Sequence, residues 1–131
     1  MSDLTPLEQA VISKLLEGDS ENLSILRKQV ERIEETRREF TGCGFFTTFK
    51  IANDAPQIPG SRSFNFGDID AELPGVELGV GLLLWVRNGV IDFLEGYTSG
   101  DAAWPTAISS FELRYLNRGE RNPEPWNRRI P

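Results

Sequence analysis

An α+β fold is predicted for this chain: an N-terminal αα-hairpin packed on a twisted, mainly antiparallel sheet of five strands. Three observations carry that reading. The segment LLLWVRNGVIDFLE at residues 82–95 is a β-hairpin, two apolar β-prone runs joined by Asn88-Gly89, a pair that a type I′ turn favours because both central residues need positive φ. Thr5-Pro6-Leu7-Glu8 is a capping box with proline at the first helical position. Residues 40–51 alternate, with Cys43, Phe45, Thr47, Phe49 and Ile51 on one face and Gly42, Gly44, Phe46 and Thr48 on the other.

The first helix is expected from Pro6 to Glu17, stopped by Gly18. Asp19 or Ser20 then caps a second helix with a narrow apolar stripe of Leu23, Ile25, Leu26, Val30 and Ile33, opposite a charged face. A connection this short sets the two helices antiparallel. The strand at 40–51 is followed by a turn-rich stretch and a strand at 64–73. There Phe64 and Phe66 share one parity and Ile69, Ala71 and Leu73 the other, so both sets reach the core only through a bulge near Gly67-Asp68. Leu73-Pro74-Gly75-Val76 fits a type II turn. The hairpin strands come next, then a loop from Gly96 to about Ser110 and a last strand at 111–116, the five together forming a meander. Residues 1–116 are thus one domain, and 117–131, NRGERNPEPWNRRIP, an extended tail. Trp126 is placed to tack that tail onto the body or onto a second copy in a homo-oligomer.

Composition removes more functions than any motif supplies. The 131 residues contain no histidine and one cysteine, so imidazole bases, His-dependent nucleophiles, structural zinc sites and an internal disulfide have no residues to be built from. The single thiol fits a reducing cytoplasm, and no apolar run is long enough to span a bilayer. Of the net charge of −6, the tail contributes four Arg against two Glu, leaving −8 on residues 1–116. So acidic a body disfavours nucleic acid and suits a basic protein partner. Gly79-Val80-Gly81 lacks the Gly-Lys-Ser/Thr of a phosphate loop, and no cofactor is expected.

Four side chains are the candidate binding residues: Glu95, Tyr97, Trp104 and Trp126. A two-residue turn pairs Val86 with Ile91, Leu84 with Phe93 and Leu82 with Glu95, which delivers the Glu95 carboxylate to an apolar face with Tyr97 beside it. A desolvated carboxylate of that kind is the usual form of a general acid or base. Bare positions at Gly42, Gly44, Gly79 and Gly81 leave room for a pocket. The long loop after Gly96 gathers Tyr97, Trp104 and small polar residues of the sort that recognition surfaces use. Asp68, Asp70 and Glu72 project from one face of a strand and are weak candidates for a divalent cation, because alternate side chains there run roughly parallel about 7 Å apart instead of converging. Cys43 has core parity and reads as an inert thiol.

Phe40-Thr41-Gly42-Cys43-Gly44-Phe45-Phe46-Thr47, Leu94-Glu95-Gly96-Tyr97-Thr98 and Trp104-Pro105, after the Thr-Pro-Leu-Glu start, resemble a group of small uncharacterised bacterial proteins, over most of residues 5–116. The resemblance implies a compact bacterial cytoplasmic domain and carries no activity or catalytic residue with it. The function expected is a non-catalytic protein-binding domain of immunity or antitoxin type. The alternative is a small-molecule-binding protein, or a carboxylate-based enzyme, with its pocket centred on Glu95.

Overall fold

In a computed structural model, residues 4–100 and 102–116 are described, and they form an α+β domain. Helix α1 spans Pro6–Leu15 and α2 spans Glu21–Val30. Both start where the sequence places them: Thr5 accepts from the Glu8 N–H while Glu8 reaches back to the Thr5 N–H, and Ser20 caps Asn22 and Leu23. They do not form an αα-hairpin, however. Each lays its own apolar side chains (Leu7, Val11, Ile12 and Leu15; Leu23 and Leu26) on the sheet, into one shared core.

The strands are β1 (Ile33–Phe40), β2 (Gly44–Ile51), β3 (Phe64–Phe66), β4 (Ile69–Leu73), β5 (Val76–Arg87), β6 (Val90–Thr98) and β7 (Glu112–Tyr115), a seven-stranded sheet rather than five. Two differences account for the count. Ile33, read as the end of a helical stripe, instead opens β1, whose charged run IEETRREF pairs antiparallel with β2 and forms a sheet edge. The expected strand at 64–73 is interrupted at Gly67-Asp68, as its parity change requires, into β3 and β4 lying along the same side of β5, with Phe64, Phe66, Ile69, Ala71 and Leu73 all buried.

The order β1-β2-β6-β5-β4-β7 is not a meander. Strand β2 pairs with β6, so the 52–63 connection must pass the far end of the β5–β6 hairpin, where Ile58 N–H donates to Gly89 O and Gly89 N–H to Arg62 O. The turn has the expected geometry, Asn88 at φ 53° and Gly89 at φ 81°. A fully buried Gln29 of α2 fastens this corner, donating to Pro56 O and Gly89 O and accepting from the Ile91 N–H at 2.8–2.9 Å.

Past the turn the register departs from the simple hairpin. Val86 opposes Ile91, but Asp92 is then an extra residue, and the pairs run Trp85–Phe93, Leu84–Leu94 and Leu83–Glu95. This β-bulge exchanges the two faces of β6. Leu94 and Thr98 enter the core while Phe93, Glu95 and Tyr97 turn outward, and Asp92 pairs with Arg87 at 3.1 Å. Without the bulge the Glu95 carboxylate would have faced the helices in place of an apolar side chain.

Candidate functional site

The bulge corrects the site expected at Glu95. Its carboxylate does not face Leu82 and Leu84; it stands on the side of the sheet that the helices leave uncovered and accepts from Trp85 Nε1 at 3.1 Å. Phe93 is likewise outward, so the apolar side chains near Glu95 do not wall one pocket: Phe45, Phe49 and Leu84 lie on one face of the sheet and Phe93 on the other. The room at Gly81 is taken as well: a Cβ there would sit 2.4 Å from Tyr97 Cζ, because the Tyr97 ring lies over the bare backbone.

Cross-strand pairing builds a surface from these outward residues. One row runs Glu39–Phe46–Glu95–Leu83 and the next Arg37–Thr48–Phe93–Trp85–Asn65. Trp85 stacks on Phe93 with ring centres 5.3 Å apart, and Phe46 meets Phe93 edge-on at 5.7 Å, giving a three-ring ladder across β2, β6 and β5. Phe46 and Tyr97 remain 36% and 40% exposed. The Glu39 and Glu95 carboxylates flank Phe46 on its two neighbouring strands.

A second feature lies on the helix side. Glu8, 2% exposed, is the N3 residue of the α1 capping box, and its carboxylate takes four hydrogen bonds: from Arg38 Nε and Nη2 at 2.7 and 2.6 Å, from Thr47 Oγ1 at 2.6 Å and from the Thr5 N–H at 2.9 Å. Burial by itself would raise the carboxyl's pKa; the hydrogen bonds from Arg38, Thr47 and Thr5 and the charge of Arg38 outweigh it and hold Glu8 below the ordinary 4.5. Beside this pair a groove of about 240 Å³ opens between the start of α1, the β1–β2 turn and the 102–111 loop, lined among others by Pro6, Arg38, Phe40, Phe45, Trp104 and Phe111. Trp104 shapes it by packing edge-on to Phe45 at 5.0 Å, while its backbone N–H donates to Gly42 O.

Sequence reasoning named Glu8 only as a cap and did not single out Arg38 or Gln29. The signal was present in the helical spacing: Glu8 shares a stripe with Val11, Ile12 and Leu15, and Gln29 shares one with Leu23 and Leu26, so both polar residues fall on core-facing stripes. Cys43 is exposed in the β1–β2 turn, not a core thiol, since the alternation was extended through what is a hairpin turn. Asp70 and Glu72 do share the outer face of β4, where Arg114 of β7 engages both at 2.9 Å. Among the described residues no group of three or more His, Cys, Asp or Glu side chains is placed to hold a metal ion. Trp126 and the tail lie outside the described residues. No described helix is long and apolar enough to cross a membrane. Compared with known proteins, the chain matches no family model, no curated protein and no solved structure.

Proposed function

We propose that this chain is a non-catalytic protein-binding domain, of immunity or antitoxin type, whose recognition surface is the open face of the sheet. The observation that carries the reading is the Phe46–Phe93–Trp85 ladder on the face without helices. A contiguous aromatic patch left in water marks an interaction site more often than a lone exposed ring does, and aromatic side chains supply large contact area at small entropic cost. The Trp85–Glu95 hydrogen bond orders the indole before any partner arrives, and pre-ordering of that kind favours binding. Glu39 and Glu95 on either side of Phe46, in a body carrying −8, favour a basic partner and fast association. The single cysteine and the resemblance to small bacterial proteins favour a bacterial cytoplasmic setting.

Site-specific photo-crosslinking in the native host tests this, with the reactive group at position 46 on the open face and, as control, at position 27 on α2. A discrete adduct with a basic protein from position 46 alone, weakened by Glu95→Lys and by added salt, is expected. Indistinguishable adducts from both positions would sink the reading.

A further inference from the structure

Resting on the reading of the open face as a protein-docking surface, we propose that its anchor point takes an arginine side chain of the partner, the guanidinium held between the Glu39 and Glu95 carboxylates against the Phe46 ring. Phe46 stands between these residues in one cross-strand row, with Glu39 opposite it on β1 and Glu95 opposite it on β6. Neighbouring strands run about 4.8 Å apart, which sets the two acidic positions about 10 Å from each other with the ring between them. A guanidinium that donates from both of its edges fits such a gap. The two charges are also unspent. Elsewhere on the sheet Asp70 and Glu72 share Arg114, Asp92 pairs with Arg87 and Glu34 with Lys50. Glu95 accepts from the neutral Trp85 indole through Oε1 alone, so it keeps its charge and its second oxygen. Among the described residues no cation pairs with Glu39 or Glu95, and Arg37, in the next row opposite Thr48, leaves both to an incoming group.

The rings around these carboxylates select among cations. Phe46 is exposed, Phe93 meets it edge-on with Trp85 stacked behind, and the exposed Tyr97 stands two positions beyond Glu95 on the same face. A guanidinium is planar and weakly hydrated, so it lies against aromatic rings and still forks its donors to carboxylates. An ammonium is a compact, strongly hydrated charge that gives up more water for the same contact. A neutral apolar side chain seated here would cover the ladder but desolvate Glu39 and Glu95 without pairing them.

NMR titration of the full chain tests this with an acetylated, amidated glycine-arginine-glycine peptide and its lysine and citrulline counterparts, citrulline being the uncharged isostere of arginine. Saturable shifts centred on the Trp85 indole N–H, Phe46 and Phe93 are expected with the arginine peptide. Citrulline should bind about fivefold or more weakly, the sum of exposed ion pairs and a cation–ring contact, with lysine between the two. Glu39→Gln and Glu95→Gln should each weaken the arginine peptide several-fold. Glu77→Gln, which removes the same charge near the start of β5, should leave it unchanged. No saturable binding, citrulline or lysine as tight as arginine, or equal losses in all three variants would overturn the proposal. The photo-crosslink from position 46 reads the docking surface separately. An adduct there with no preference for arginine over citrulline would remove the arginine anchor and leave the protein-binding reading standing, while arginine selectivity without an adduct would do the reverse.

Discussion

Glu8→Gln keeps the volume of the side chain and removes its charge, so it isolates what the buried pair contributes. The native carboxylate accepts from Arg38 twice, from the buried Thr47 hydroxyl and from the Thr5 N–H. Thr5 and Thr47 donate to different oxygens of Glu8, so glutamine, with one carbonyl oxygen, can keep only one of those two bonds as an acceptor, and its amide group turns a donor toward an Arg38 donor. Removing one member of a buried pair costs about 3–5 kcal/mol, and the 24% exposure of Arg38 lets it rehydrate in part, which puts the expected loss near the lower end, about 3 kcal/mol. Against a total of about 5–15 kcal/mol this is readily measured by urea unfolding followed by circular dichroism, with an unchanged slope. The pH dependence supplies a second reading. A carboxyl held below its ordinary 4.5 in the folded state binds fewer protons folded than unfolded, so its contribution is intact above 4.5 and is lost as the pH falls through the lowered value. Glu8→Gln should therefore lie parallel to the native protein from pH 7 to about 5 and converge toward it in more acid solution. Glu8→Leu combined with Arg38→Met should recover much of the loss, because paired apolar replacement of a buried ion pair is often neutral. A loss under about 0.5 kcal/mol, or acid profiles that never converge, would refute the assignment of this pair as a stabilising element.

Three further substitutions probe the corner where the 52–63 connection passes the hairpin. Gln29→Leu leaves Pro56 O, Gly89 O and the Ile91 N–H without their side-chain partner; at about 1–3 kcal/mol per buried group, a loss of about 2–4 kcal/mol is expected after partial relaxation, with faster hydrogen exchange at Ile91. Gly89→Ala places a Cβ 2.6 Å from Ile58 O at a φ of +81°, and should cost about 2 kcal/mol or more in urea unfolding, while Asn88→Gly stays within about 0.5 kcal/mol.

Much of this fold is legible residue by residue. Thr5-Pro6-Leu7-Glu8, Asn88-Gly89 and the parity change at Gly67-Asp68 each concern groups within a few positions of one another, and each stands in the structure where the chain places it. The charged run 33–40 was not legible as a strand, because Glu34, Glu35, Arg37, Arg38 and Glu39 continue a helical charge pattern as readily as they line an edge strand. Only pairing with β2 decides between the two, and that pairing involves residues on the other side of a turn.

The site depended on tertiary structure more than the fold did. The sequence by itself determined the α+β class, the helix starts, the hairpin turn and the exclusion of histidine chemistry, since these rest on composition and local backbone preference. Only the folded sheet decided that β2 pairs with β6 and that Asp92 bulges, sending Glu95 and Phe93 out to join Phe46 and Trp85. It alone also brought Arg38 and Thr47 to the carboxylate of a helix cap some thirty and thirty-nine residues earlier in the chain. A one-residue register shift costs little locally, yet it reverses which side chains are buried along the rest of the strand, so the choice belongs to the packing of the whole core and not to the turn that starts the strand.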